Sequence, residues 1–259
     1  MNPEILNILD SFNSIRLEEM DKSRLMDRID TKYLLPANRV PDLLNLMKGR
    51  FRVLEVGNQR VSSYSTVYYD TQSFTFFYQH VTERTGRFKV RFRTYNSTGT
   101  TFLEIKRKTK KGRTVKWRIE NSPAEHFFDE TAKEFIKTRA AFDPGSLRQV
   151  LENNFKRITF TGFDTPERIT LDLDLTFSTP EGGSAELPMI AIIELKSQGV
   201  AVRSPFSALI KQFSVYPTAF SKYCMGCAIL YDLPLKGILK PKILLLNRIE
   251  NEYNGSLSA

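Results

Sequence analysis

The stretch RFKVRFRTY, residues 87–95, alternates without a break between basic and other side chains. Successive side chains of a β-strand point to opposite faces, so the four basic residues share one face of a predicted strand. They are Arg87, Lys89, Arg91 and Arg93. Four cations in one row with no carboxylate between them repel one another unless an anion binds to them. The stretch therefore predicts a strand whose basic face is either exposed to solvent or binds an anion.

The same alternation recurs elsewhere in the chain and predicts at least five strands that each carry a charged face. The segments are 28–33, 101–108, 115–120, 171–177 and 190–196, and their charged residues include Lys32, Glu104, Lys106, Lys116, Glu194 and Lys196. In the fourth segment Asp172 and Asp174 share a face, where they would bind a metal ion or form part of a polar wall.

Helical periodicity separates these strand segments. It predicts an amphipathic helix over 3–16 and helical structure over 36–48, 204–213 and 218–230. The segment 129–153 is also helical in pattern, and the Asp143-Pro144-Gly145 sequence within it predicts a break between two helices. Strand segments lie on both sides of each helix, so we expect one α+β domain over 1–259. Its core would span about 24–232, with a polar, frayed tail over 249–259.

Composition narrows the class of partner. The chain has 38 Lys and Arg against 29 Asp and Glu, a net charge of +9, which favours nucleic acid, a phosphate-rich small molecule or an acidic membrane surface. The acidic N-terminal segment does not resemble a signal peptide, and no apolar run approaches the length of a membrane helix. We therefore expect a cytoplasmic protein that does not insert into a membrane.

Several catalytic classes lack their sequence signatures. The chain contains no GxxxxGK[ST] phosphate loop, no GxGxxG after a strand and no GxSxG elbow. Its two histidines, His80 and His126, are expected to be structural or exposed. Cys224 and Cys227 form a CMGC sequence without a second pair to complete zinc ligation, so we expect two buried structural thiols.

The charged strand faces allow two arrangements. They are the solvent side of a sheet that packs on its other side, or the inner wall of a closed barrel that helices cover from outside. Arg and Lys side chains with a few carboxylates suit a phosphate chain and a divalent cation. Phosphoryl transfer depends mainly on such positioning and charge stabilisation.

The order of the motifs resembles the VTC domain, the polyphosphate polymerase branch of the CYTH, or triphosphate tunnel metalloenzyme, superfamily. The motifs are Arg28-x-Asp30-x-Lys32-Tyr33, Tyr68-Tyr69-Asp70-Thr71, Lys89-Val-Arg91-Phe-Arg93-x-Tyr95, Glu104-Ile-Lys106, Arg157 followed by Arg168-Ile-Thr-Leu-Asp172, Glu194-Leu-Lys196 and Phe220-Ser221-Lys222-Tyr223. The resemblance implies a closed eight-stranded antiparallel barrel, or tunnel, flanked by helices. It also implies transfer of the ATP γ-phosphate to inorganic polyphosphate with Mn²⁺ or Mg²⁺, without nucleic acid as a partner.

The resemblance also assigns site residues by motif. Those expected to act on the transferred phosphate are Lys32, Arg91, Arg93, Lys106, Lys116, Arg157, Arg168 and Lys222. Further substrate contacts are expected from Lys89, Lys196 and Ser221, and metal ligation from Glu194 and Glu104.

Departures from the family pattern leave alternatives open. Ala219 replaces a lysine of the eukaryotic polymerases, Phe155 replaces a tyrosine, and the ExExK opening of the wider superfamily reads Arg28-x-Asp30-x-Lys32. A hydrolase of tripolyphosphate or nucleoside triphosphates and a non-catalytic binder of polyphosphate, nucleotides or RNA are therefore alternatives. The RNA alternative is disfavoured because Phe88 and Phe92 face away from the basic row.

Overall fold

The computed structural model describes residues 1–22, 29–121, 128–140, 142–198 and 204–257. Within these residues the chain forms one connected sheet of eleven strands. The strands are β1 Ser14–Ile15, β2 Ile29–Pro36, β3 Phe51–Leu54, β4 Ser62–Thr71, β5 Phe88–Tyr95, β6 Thr100–Lys108, β7 Thr114–Asn121, β8 Leu147–Gly162, β9 Glu167–Ser178, β10 Ser184–Leu187 and β11 Ile190–Ser197.

Eight of the strands form a continuous antiparallel path in the order β2-β11-β9-β8-β4-β5-β6-β7. The α+β class and the large antiparallel sheet agree with the prediction. The predicted closed barrel is not confirmed, because in the described part of the chain no backbone pairing joins β2 to β7. β7 alternates between exposed and half-buried residues along its length, as an edge strand does.

The helices accompany the sheet at its faces and ends. They are α1 Pro3–Asp10, α2 Leu17–Lys22, α3 Val40–Met47, α4 Thr75–Val81, α5 Glu130–Arg139, α6 Pro205–Lys211, α7 Lys222–Leu230 and α8 Lys240–Leu257. The helical segments predicted within 36–48, 204–213 and 218–230 are thus confirmed. None of the helices in the described ranges combines the length and apolar character that crossing a membrane requires.

Three local predictions were wrong. The first helix ends at Asp10, and residues 14–15 form a strand that pairs with β3. The second helix predicted within 129–153 is instead the start of β8, because this strand pairs with β4 on one side and β9 on the other. The C-terminal tail is not frayed over 250–257, since α8 continues to Leu257 and buries Leu246 and Ile249 against the core.

The core lies on both faces of the sheet. On one face, called here the outer face, α1, α3 and α6 cover β8, β9 and β11, and α5 covers β5 and β6. Phe88 and Phe92 belong to this outer core, as predicted. On the other, inner face, α7 packs against apolar residues of β8 and β9. A Cβ at Gly226 would lie 2.6 Å from a Leu151 methyl carbon, so the glycine permits this close approach.

The sheet curls around its inner face. Lys32 on β2 and Lys89 on β5 are five strands apart along the path, which would be roughly 24 Å in a flat sheet. They nevertheless lie close enough for the charge of Lys32 to lower the pKa of Lys89. Adjacent residues of α7 also bridge distant strands, since Ser221 bonds to Lys89 on β5 and Lys222 to Asp172 on β9.

The histidine and cysteine predictions are confirmed where the structure describes them. His80 Nε2 lies 3.0 Å from the Phe88 carbonyl oxygen, and burial lowers the pKa of its ring to about 3. Cys224 and Cys227 are buried free thiols in α7. His126 and Arg28 lie outside the described residues.

Candidate functional site

Glu104 is the centre of a charged cluster on β5, β6 and β7. Its carboxylate is fully buried and accepts hydrogen bonds from Arg91 Nε at 2.8 Å and Arg91 Nη2 at 2.6 Å. Lys116 contacts the other oxygen. Burial disfavours the charged form of Glu104, but the nearby Arg91, Arg93 and Lys116 hold its pKa well below the ordinary value. The predicted metal-ligand role of Glu104 stays a prediction, and cations contact both of its oxygens.

Asp172 is the centre of a second cluster, formed by β8, β9 and the start of α7. Arg157 Nε and Nη2 donate to its two oxygens at 2.5 and 2.7 Å, and Lys222 contacts it as well. The Lys222 ammonium also lies 4.3 Å from the centre of the Phe155 ring. Burial lowers the pKa of Lys222 to about 8, against the opposing effect of Asp172.

Glu194 is the centre of a third cluster on β2 and β11. Lys32 Nζ lies 3.1 Å from one carboxylate oxygen, and Lys196 contacts the other. Asp30 lies 3.7 Å from Lys196, which stands opposite Arg168 in the sheet register. Burial lowers the pKa of Lys32 despite the negative charge of Asp30. Glu194 is less buried than the other two carboxylates, with 23% of its side chain exposed.

Three inner-face cations form no ion pair with any described residue. Lys89 Nζ donates only to Ser221 Oγ, at 3.0 Å, and burial lowers its pKa to about 8. Arg93 Nε is buried without a hydrogen-bond partner. The charge of Arg91, with burial, holds the pKa of Lys106 well below the ordinary lysine value. A bound anion would offset the burial of these cations and the repulsion between them, because it supplies negative charge and hydrogen-bond acceptors.

The inner face as a whole carries more cations than carboxylates. Among its described residues are the cations Lys32, Lys89, Arg91, Arg93, Lys106, Lys116, Arg157, Arg168, Lys196 and Lys222, and the carboxylates Asp30, Glu104, Asp172 and Glu194. The structure thus brings together every residue predicted for the site, including Ser221. Their roles in binding, catalysis and metal ligation stay predictions.

Sequence reasoning missed the aromatic part of the site. The rings of Tyr64 and Phe155 stack at 5.2 Å with an interplanar angle of 4°. The guanidinium groups of Arg93 and Arg157 lie between 5.3 and 5.9 Å from both ring centres. β4 carries no basic residue beside Tyr64, so charge alternation gave no signal there. The inner face therefore does interleave aromatic rings with cations, although Phe88 and Phe92 point away.

Asp70, named above as part of a motif but given no role from the sequence, ties α7 to the sheet. It is fully buried at the end of β4 and accepts a hydrogen bond from the Tyr223 hydroxyl. It also accepts from the backbone N–H groups of Thr71, Phe76 and Phe77 at 2.7, 2.8 and 2.9 Å. Because Tyr223 follows Lys222 directly, this contact holds the start of α7 at the Asp172 cluster. The Tyr68-Tyr69-Asp70-Thr71 and Phe220-Ser221-Lys222-Tyr223 motifs are thus joined in space.

The available donors fit a divalent cation that binds together with phosphate. The described residues contain no group of three or more His, Cys, Asp or Glu side chains that could hold a metal ion. Mg²⁺ and Mn²⁺ are commonly bound through one or two carboxylates, with water and phosphate oxygens completing the shell. Lys32 and Lys196 contact the two oxygens of Glu194, so a metal ion would bind to Glu194, with Asp30 nearby, in place of these lysines.

Comparison with known proteins identifies the family. The model of the VTC domain matches residues 27–231, most of the chain. The chain belongs to the VTC domain family. No curated protein matches the sequence. All the residues of the three clusters lie within the VTC match.

Solved structures support the same fold. A suspected adenylate cyclase from Bacillus halodurans has a TM-score of 0.51 at 14% identity, over 77% of this chain and 98% of that one. A suspected adenylyl cyclase from Hippeastrum, described as having a dominant triphosphatase activity, has a TM-score of 0.52 at 14% identity, over 81% and 99%. At this identity the likeness concerns the fold.

Tyr223→Phe tests the link between Asp70 and α7. Losing the hydroxyl removes one hydrogen bond from a buried carboxylate, which costs about 1–3 kcal/mol of the free energy of unfolding. We expect that loss in urea denaturation, together with weaker tripolyphosphate binding. Tyr69→Phe is the matched control, because the buried Tyr69 hydroxyl has no hydrogen-bond partner among the described residues. Equal stability of the two variants would contradict the assignment.

The lowered pKa of Lys222 predicts a pH effect. The folded protein releases this proton near pH 8, whereas an unfolded lysine keeps it to about 10.4. The charged form therefore destabilises the fold below pH 8, and this penalty disappears as the pH rises. The increase in Tm caused by tripolyphosphate should thus be larger at pH 7 than at pH 9.

Lys222→Arg should weaken that pH dependence, because arginine keeps its charge at both pH values. Lys137→Arg on the exposed side of α5 is the control and should behave like the parent protein. The same decline between pH 7 and 9 in all three proteins would exclude Lys222 as its source.

Proposed function

We propose that this VTC-family protein is a metal-dependent polyphosphate polymerase that transfers the ATP γ-phosphoryl group to a polyphosphate chain on the inner face. The surplus of inner-face cations carries the proposal, above all Lys89, Arg93 and Lys106, which form no ion pair with a described residue. A phosphate chain supplies a series of negative charges and hydrogen-bond acceptors for these cations. The family match supports the same substrate class.

The side chains divide the work of binding. Arg93, Lys89 and Lys106 bind phosphate oxygens, since none of them is held by a carboxylate of the described residues. Arg91 is already fixed by Glu104 and therefore presents its remaining N–H donors from a rigid position. Lys222 contacts Asp172 and directly follows Ser221, the partner of Lys89. Its ammonium group can therefore stabilise negative charge on the phosphate chain.

Phosphoryl transfer needs little covalent chemistry from the protein, because charge spreads over phosphate oxygens that these cations stabilise. Glu194 would hold the divalent cation, which would supply positive charge that stabilises the phosphates during transfer. The terminal oxygen of a polyphosphate chain aligned on the same face bonds to the γ-phosphorus of ATP, the bond from that phosphorus to the bridging oxygen of the β-phosphate breaks, and ADP leaves.

Hydrolysis is the second candidate. The Hippeastrum protein, which shares the fold, is described as a triphosphatase. The same cations would bind a triphosphate, and water would replace the chain end as the acceptor. The two candidates therefore differ in product rather than in the residues that bind.

The product assay separates them. Incubation with ATP and Mn²⁺, followed by gel analysis and measurement of free phosphate, should give polymer with little free phosphate. Glu194→Gln should abolish turnover but leave metal-free tripolyphosphate binding intact or stronger, because it releases Lys32 and Lys196. Free phosphate alone would favour hydrolysis, and full turnover in the variant would refute the metal assignment.

Paired arginine variants test which cations meet the phosphate. Arg93→Gln removes a guanidinium whose buried Nε has no hydrogen-bond partner among the described residues, so the free energy of unfolding should change little, while tripolyphosphate binding weakens about 10- to 100-fold. Arg91→Gln leaves Glu104 buried without its main partner and should cost about 3–5 kcal/mol of stability. Calorimetric binding and urea denaturation on both variants give the answer. Unchanged binding in Arg93→Gln would contradict the proposal.

A further inference from the structure

The turn between β6 and β7 is unusually basic. Residues 107–113, called here the basic hairpin, contain five cations in seven positions and no acid: Arg107, Lys108, Lys110, Lys111 and Arg113. Most of these side chains are exposed, and in the described part of the chain no ion pair involves them. None of these five residues belongs to the three charged clusters of the inner face.

The backbone of the hairpin is well ordered by its own hydrogen bonds. Thr109 N donates to the Arg113 carbonyl at 2.8 Å, and Gly112 N donates to the Thr109 carbonyl at 3.0 Å. Gly112 has a φ of 75°, which a glycine adopts without strain. Arg84 and Arg87 lie alongside, because Lys108 N donates to the Arg87 carbonyl at 2.9 Å. The positive charge is therefore held in one place.

The hairpin continues the charged inner face. Lys106 and Lys108 lie on the same side of β6, and Lys106 stands opposite Lys89 and Lys116 in the sheet register. Lys89, Lys106 and Lys116 belong to the proposed phosphate site, and Lys108 lies between them and the turn. The turn at the opposite end of β5 and β6, Asn96-Ser97-Thr98-Gly99, has no charge.

Apolar packing directs a chain toward the hairpin. In the antiparallel register, β2 ends at Pro36 and β9 ends at Ser178, and both residues lie at the same end of the strands as the hairpin. At that end α7 covers the inner face of β8 and β9, and α8 covers that of β2 and β11, with buried apolar side chains. Among the described strands, β5, β6 and β7 carry the inner-face cations at this end, so a polyanion that leaves the site here would run along them.

We propose that the basic hairpin is a second binding surface for polyphosphate, occupied only by chains longer than the inner face accommodates. The inference rests on the proposed function of the inner face and adds chain-length discrimination to it. Short phosphates contact the inner face alone. Longer chains gain additional exposed ion pairs at the hairpin, which makes their affinity higher and more dependent on salt.

A triple variant, Lys110→Ser, Lys111→Ser and Arg113→Ser, tests this surface without altering the backbone bonds of the turn. The charge-matched control replaces the exposed Lys211, Lys240 and Arg248 with Ser. Binding is measured by calorimetry with tripolyphosphate and with a polyphosphate fraction many times longer, over a series of salt concentrations.

We expect the hairpin variant to bind the long chain about tenfold more weakly, equivalent to about 1.4 kcal/mol over three exposed contacts. The slope of log K against log salt should fall by about two, taking about 0.7 for each lost contact as in single-stranded nucleic acids. Tripolyphosphate binding should match the control. Unchanged long-chain binding, or an equal loss for both ligands, would overturn the proposal.

Two further measurements keep the inference separate from the proposed function. If the parent protein does not bind tripolyphosphate and Arg93→Gln does not alter phosphate binding, the proposed function of the inner face fails. The hairpin proposal is then tested only by the affinities of the parent protein and the triple variant for the long polyphosphate. Single-stranded RNA of comparable length is the competitor. Hairpin-dependent binding of RNA as tight as that of polyphosphate would overturn the assignment of the surface to polyphosphate.

Discussion

Repulsion among cations on one face of a curled sheet is the constraint on which this structure depends. Each of Glu104, Asp172 and Glu194 contacts at least two cations, and the first two carboxylates are almost fully buried. Desolvating these charges is costly, and the cost is offset only because several cations surround each carboxylate. The ion pairs therefore do not simply add stability. They make it possible for the inner face to be charged at all.

The inner face has two halves of opposite character, and α7 joins them. Its buried apolar residues complete the core over β8 and β9, while its first residues enter the charged half. Ser221 Oγ accepts from the backbone N–H of Cys224 at 3.3 Å and from Lys89 Nζ at 3.0 Å. The residue that begins the helix thus also positions a cation of the site. Gly226, where α7 lies closest to β8, and Asp70, which binds Tyr223, fix the helix from the other side.

Strand parity alone predicted which basic residues share a face, because the period of two leaves no choice once β5 is recognised. It therefore placed Lys89, Arg91 and Arg93 together, and the order of motifs predicted the family. Parity does not show which residues are neighbours on adjacent strands. The contacts of Glu104 with Arg91 and Lys116 could therefore be identified only once the strand register was known. β4 carries no basic residue, so charge alternation did not reveal Tyr64. The first part of β8 was predicted as helix because the pairing with β4 and β9 that makes it a strand is not local. Closure depends on pairing between the distant β2 and β7, which no local pattern encodes.

The pairing pattern also separates cations that hold the site from cations that are available to a ligand. Arg157 and Arg91 form ion pairs with Asp172 and Glu104. A phosphate that displaced either arginine would leave the buried carboxylate without this partner and would itself repel it. Arg93, Lys89 and Lys106 gain from an anion without losing a partner of the described residues. In the proposed function, the cations that bind phosphate are therefore different from those that pair with the buried carboxylates of the same face, although all of them look alike in the sequence. Such a division lets the inner face stay charged and folded before any phosphate arrives.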